Sequence, residues 1–150
     1  MAEWTEPVFD RTIEDVVSAI TQIIEWETTG IGGITMLKGC LNVPDINRIE
    51  DNIAFLTNEL SALYYFPRTT SKSWTMEKLP NTKDVERIIS NISKIITEFF
   101  QIPEAPELPD TMLTYEHINS LEENLYHIKN ILENMVEMFR ECNTFECGEE

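Results

Sequence analysis

Three cysteines and two histidines are the residues in this chain best suited to hold a metal or act as nucleophiles: Cys40, Cys142, Cys147, His117 and His127. A zinc site is built from paired Cys or His ligands at short spacing. Cys142 and Cys147 leave four residues between them, wider than the common knuckle, and no second Cys/His pair follows. Spacing leaves that pair open to a disulfide, a metal half-site or two ordinary thiols, and a reducing compartment favours ordinary thiols. A di-iron centre in a helical bundle needs Glu-x-x-His on two helices. Here Thr114 stands three residues before His117, and Asn124 three before His127. No G-x-S-x-G or H-E-x-x-H marks a nucleophile or a zincin. The glycine-rich stretch GIGGITMLKG lacks the G-K-[ST] of a phosphate loop. The expectation is a protein with no catalytic residues, no cofactor and no metal.

Charge narrows the partners. The chain of 150 residues carries a formal net charge of −16 and is 42% hydrophobic. That apolar fraction suits one folded domain over residues 1–150 and is too high for a disordered acidic tail. The negative charge opposes direct binding to nucleic acid or to an anionic membrane. Arg68, Lys72 and Lys78 flank Trp74 in the most basic stretch, but three cations on so acidic a chain are a weak nucleic-acid signal. From Glu98 onward there are 13 acids against Lys129 and Arg140. No signal peptide and no run of apolar residues long enough for a transmembrane helix is visible, so synthesis in a bacterial cytoplasm is expected.

The elements that would position these residues are repeats. Leu41 to Leu60, Leu79 to Phe99 and Leu113 to Leu132 are three copies of one pattern, offset by 39 and 72 residues, and a fainter copy begins 30 residues upstream. Each copy opens on a polar residue able to cap a helix: Thr12, Asn42, Asn81 or Thr114. Asp15, Asp45 and Asp84 stand three residues further on, where a capping-box acid belongs. Apolar residues then follow at 3-4-3 spacing, as in Ile46, Ile49, Ile53 and Leu56, the stripe of an amphipathic helix. An amide recurs one place before the third stripe residue, at Asn52, Asn91 and Asn124 with Gln22 in the faint copy, and is expected to cap loops or bridge helices.

The predicted fold is all-α: a four-helix bundle of repeated units, with helices over about 13–26, 43–64, 82–101 and 115–140 and an acidic tail over 141–150. The first helix is apolar on two sides, at Val16, Val17, Ala19, Ile20, Ile23 and Ile24, which predicts burial by more than one neighbour, and its β-branched residues also admit a strand. Phe9 is placed to staple that helix. The loops leave room for a small β element around residues 31–36 and 69–75, and Pro67 is expected to end the second helix. IPEAPELPD reads as a stiff connection across the surface. The last helix can outreach its neighbours and offer Met and Phe to another chain.

The phrases FDRTIEDV, KGCLNVPDINRIEDNIAFL, DVERIISNI and FRECNTFECGEE resemble a group of small structural proteins of phages and prophages of Clostridia and related Firmicutes. The likeness covers residues 9–26, 38–64, 79–96 and 112–149, and its most specific part is the NRIE-x-N-I core. The link between the first two helices is shorter here than that pattern implies. The resemblance implies a non-enzymatic structural or assembly protein of a phage tail or phage-tail-like particle, near the tail tip, baseplate or fibre attachment. Its implied partners are other particle subunits and itself, as a homo-oligomer. Contact residues expected from their type are Trp4, Phe9, Tyr64, Tyr65, Trp74, Met135, Met138 and Phe139, each of which also fits a core. The alternative is an acidic phage protein that mimics nucleic acid, or a helical adaptor, and so inhibits or regulates a host factor.

Overall fold

In the computed structural model, which describes residues 2–31 and 37–144, four helices begin where the capping residues stand: α1 (Ile13–Thr29), α2 (Val43–Ala62), α3 (Thr82–Glu98) and α4 (Tyr115–Thr144). Thr12 and Asn81 accept from the backbone N–H of Asp15 and Asp84, and each aspartate returns a bond to the N–H of its cap. Asp45 bonds back to the N–H of Asn42, whose amide group turns instead to the carbonyls of Leu37 and Cys40. Thr114 Oγ1 accepts from the N–H of His117. The shorter aspartate thus closes the box as a glutamate would.

The ends differ from the predicted ones. Gly30, at φ +64°, stops α1 three residues later than expected. The second helix ends at Ala62, before the predicted Tyr64, because Tyr64 itself turns to φ +65°, and Pro67 has no part in the stop. α3 ends at Glu98, ahead of the predicted Gln101. α4 runs to Thr144, so the first residues assigned to the tail are helical and the rest lie outside the described residues. Its 30 residues span about 45 Å.

The class is all-α, as expected. One core joins Ile46, Ile49, Ile53, Leu56 and Leu60 of α2 to Ile88, Ile92 and Ile95 of α3, and to Ile118, Leu121, Leu125, Ile128 and Leu132 of α4. Each of these three helices packs on the other two. Of α1, Ala19 alone is buried, and none of its residues enters that core. α1 rests instead on the loop before α2. A Cβ on Gly39 would stand 2.2 Å from the carbonyl oxygen of Asp15 and 2.6 Å from Cα of Val16. Lys38 reinforces the contact through Asp10 at 3.0 Å and Asp15 at 3.5 Å.

Three irregular segments lie along the bundle. The first arm, residues 2–11, crosses α2 and α4. The second, 65–75, crosses α2 and α3, and the third, 101–112, runs beside α3 and α4. The β element expected near 69–75 is reduced to one isolated antiparallel bridge, Thr75 to Lys78, because the second arm pairs with side chains rather than with another strand. The one expected near 31–36 lies, apart from Ile31, outside the described residues. No helix among the described residues is long and apolar enough to cross a membrane.

The close approach at Gly39 generates a test. Gly39→Ala is expected to push the first turn of α1 off its seat. Hydrogen exchange should then speed up across residues 13–19, while the amides of α2, α3 and α4 keep their protection. Equal loss of protection throughout would show that α1 is no separate unit.

Candidate functional site

The arms carry unpaired backbone groups, and the repeats answer them with amides. Asn52 accepts from the N–H of Thr5 at 3.0 Å and donates to its carbonyl at 2.8 Å. Asn119 does the same for Arg11, Asn47 for Trp74 and Asn91 for Thr70. Asn124 donates to the carbonyl of Pro106 at 2.8 Å, a residue with no N–H to return. Each carboxamide replaces one residue of a β ladder, so a buried arm keeps its hydrogen bonds without a neighbouring strand.

Two charged groups lie inside. Glu122 of α4 is 1% exposed and takes Arg48 of α2 in a fork, at 2.5 and 3.1 Å. Arg11, from the first arm, reaches the same carboxylate at 3.2 Å and Asp45 at 3.1 Å. Asp45 also meets Arg48 at 2.7 Å, and Glu122 accepts the N–H of Val8. Two cations and two carboxylates therefore balance. Around the bundle, Glu50 of α2 takes Arg87 of α3 and the indole N–H of Trp74 at 3.1 Å. Arg87 continues to the carbonyl of Thr70.

These groups follow the repeat. Arg87 stands 39 residues after Arg48; Glu122 and Asn119 stand 72 after Glu50 and Asn47. The third groove would need a glutamate at residue 89 and an arginine at 120, but Ile89 and Ser120 stand there. Two of three helix pairs thus carry a Glu–Arg bridge under an arm. The stripes and the amides Asn52, Asn91 and Asn124 were evident in sequence, whereas Asn47, Asn119, Arg48, Arg87, Arg11, Glu50 and Glu122 were missed. Aligning the polar positions of the repeat would have exposed all of them but Arg11.

Burial pushes the Asp45 carboxyl up, but the hydrogen bonds of Asn42 and Arg48 and the charge of Arg11 outweigh it and hold it below its ordinary range. Burial likewise lowers Arg48, and Glu122 and Asp45 together more than restore it. Asp84 is lowered by its bond from Lys72, then by the N–H of Asn81. Asp15 is lowered mainly by the N–H of Thr12.

The residues suited to nucleophilic or metal chemistry stay apart. Cys40 is half-buried ahead of α2, and Cys142 is exposed near the end of α4. Cys147 lies outside the described residues, so its pairing does too. His117 Nδ1 meets Thr111 at 3.1 Å, and His127 stands 3.7 Å from Glu123. No group of three or more His, Cys, Asp or Glu among the described residues is arranged to hold a metal.

The expected contact residues divide. Trp74 is 3% exposed and belongs to the core, because its indole N–H is spent on Glu50; as a surface contact it is withdrawn. Trp4 packs on Phe55 beneath Lys129, and Phe9 on Tyr126 of α4 rather than on α1. Tyr65 stands edge-on to Phe99. Tyr64, Met138 and Phe139 are open to solvent, and Met135 is half-buried. A groove between α2 and the overhang of α4 has Ala62, Leu63, Leu132 and Val136 on its apolar side and Glu59, Lys129, Glu133, Glu137 and Arg140 along its rim. The largest exposed aliphatic line was not expected. It comprises Ile13, Val17, Ile20 and Ile24 of α1, each 51–57% exposed.

Comparison with protein-family profiles, with curated proteins and with solved structures finds no match for this chain.

Glu122→Ala strands Arg11 and Arg48 in the interior. It is expected to cost about 3–5 kcal/mol, against less than ~0.5 kcal/mol for an exposed control such as Glu133→Ala, in urea unfolding. The capping aspartates set the acid limb of stability. Their carboxyls titrate lower folded than at the ordinary 3.8, so their contribution is complete above that value and is lost as pH falls through the depressed folded values. Asp84→Asn should flatten the fall in melting temperature below about pH 4; an unchanged slope would refute the assignment.

Proposed function

We propose that this chain is a non-enzymatic structural or assembly subunit of a phage tail or phage-tail-like particle, placed near the tail tip, baseplate or fibre attachment. It works by protein–protein packing, and its place of action is the particle. The observation that carries the reading is the solvent-facing aliphatic line of α1. A helix with so many open Ile and Val side chains is a docking element in want of a partner. The overhang of α4 adds Met138 and Phe139, residue types enriched at subunit contacts. The resemblance of the NRIE-x-N-I core and the C-G-E ending to structural proteins of Clostridial phages supports the particle as the setting.

The buried charges fit this role as scaffolding. They fix the arms and the start of α1, so that the exposed faces keep a constant position. Glu50 and Glu122 each meet an arginine and are shut from solvent, which leaves them no access to a substrate.

The test is quantitative mass spectrometry of particles purified from the producing strain. A fixed ratio of this chain to a major tail protein is expected across independent preparations. Absence from particles, with the chain abundant in the lysate, would overturn the reading in favour of a regulator acting on a host factor.

A further inference from the structure

We infer that α1 is a self-association element, and that three copies of the chain join through a parallel three-stranded coil of their α1 helices. This deepens the assembly reading and rests on it for its role in a particle.

The exposed line has heptad spacing. Ile13, Val17, Ile20 and Ile24 are separated by four, three and four residues, which places Ile13 and Ile20 at d and Val17 and Ile24 at a. Ile31, 79% exposed just beyond the helix, is the next a residue in sequence. The flanking g positions are Val16 and Ile23, both half-buried, so apolar surface continues beside the seam. Glu25 lies on the outer face, Glu14 stands at e near the start, and Glu27 falls at d in the last turn. Glu27 would bring a carboxylate from every copy to one layer, so the apolar seam runs from Ile13 to Ile24 and ends ahead of the last turn.

The chain itself supplies the comparison that says what this face fits. In repeat register, Val17 and Ile20 correspond to Asn47 and Glu50 of α2, and to Asn119 and Glu122 of α4. On α2 and α4 those positions grip an arm through amide and carboxylate. α1 has aliphatic side chains there and cannot clamp an extended segment. Its surface suits interdigitating side chains, which means another helix.

Residue type sets the number. β-Branched residues at both a and d disfavour the two-stranded coil, which takes Leu at d, and shift preference to three or more strands. Cyclic symmetry then makes the helices parallel. The geometry allows it: the contact of α1 with Gly39 falls on its first turn, and its outer line is 51–57% exposed. The seam begins two residues after Arg11, which Glu122 and Asp45 hold, so the coil would be anchored at its base in every copy.

Sedimentation equilibrium on the full chain over a wide concentration range tests this. A mass three times the 17.4 kDa chain is expected. The paired change Val17→Gln with Ile24→Gln should convert it to monomer, whereas Glu25→Gln on the outer face should not. Hydrogen exchange of the α2, α3 and α4 amides in the double variant checks that the bundle remains folded. A monomer at all concentrations, or an oligomer indifferent to the seam change, overturns the proposal. A dimer or tetramer that the seam change dissolves overturns the three-stranded assignment. A monomeric chain still found in fixed ratio in particles would sink the coil and leave the assembly reading standing.

Discussion

Backbone groups that lie against an apolar core must find partners, and here long irregular segments do so. That constraint shapes the molecule. Three helices alone would leave grooves open to solvent, and three bare arms laid into them would bury unpaired N–H and C=O groups. Carboxamides resolve the conflict one residue at a time. Asn47, Asn52, Asn91 and Asn119 each meet both backbone groups of one arm residue. The arms then deliver Ile102, Met112 and Trp74 into the core. Helix pairing, arm position and core content therefore depend on the same few side chains.

The buried ion groups add direction to this plan. Each joins a glutamate on one helix to an arginine on the next, and each includes a contact to an arm. Such groups contribute little net stability once desolvation is counted, and the Nε atoms of Arg11 and Arg87 lack a hydrogen-bond partner. Their effect is on alternatives. An arm displaced by one residue would leave a charge stranded, so the register of residues 2–11 and 65–75 is held more tightly than packing alone would hold it.

Much of this was legible in the sequence, for physical reasons. Caps and stripes are local, and local rules hold wherever a helix forms; hence all four starts were placed at the capping residue. The recurring amides were assigned to loops or helix bridges, and loops are what they bind. Helix ends were less legible, since Tyr64 adopts a left-handed backbone that no side-chain rule announces. Trp74 was expected as a contact or as a core residue and proves to be core, while its partner Glu50, 24 residues away, was beyond any local rule. The exposure of α1 was the least legible feature. Its two aliphatic stripes look like a helix buried on both sides, and only the three-dimensional arrangement shows that one stripe, at Ile13, Val17, Ile20 and Ile24, stands more than half exposed.

The placement of Arg11 has a mechanical consequence. It stands at the junction of the first arm and α1, and its guanidinium is held by carboxylates of both α2 and α4. A pull on α1 is therefore divided between two helices at its point of entry. The arm behind it is fixed at Thr5 and Val8 as well, so these attachments resist sliding along the groove in parallel rather than opening one after another. Attachments loaded in shear withstand more force than those peeled in series. The junction of the first arm with α1 is therefore the part of the fold best braced against a pull along that helix.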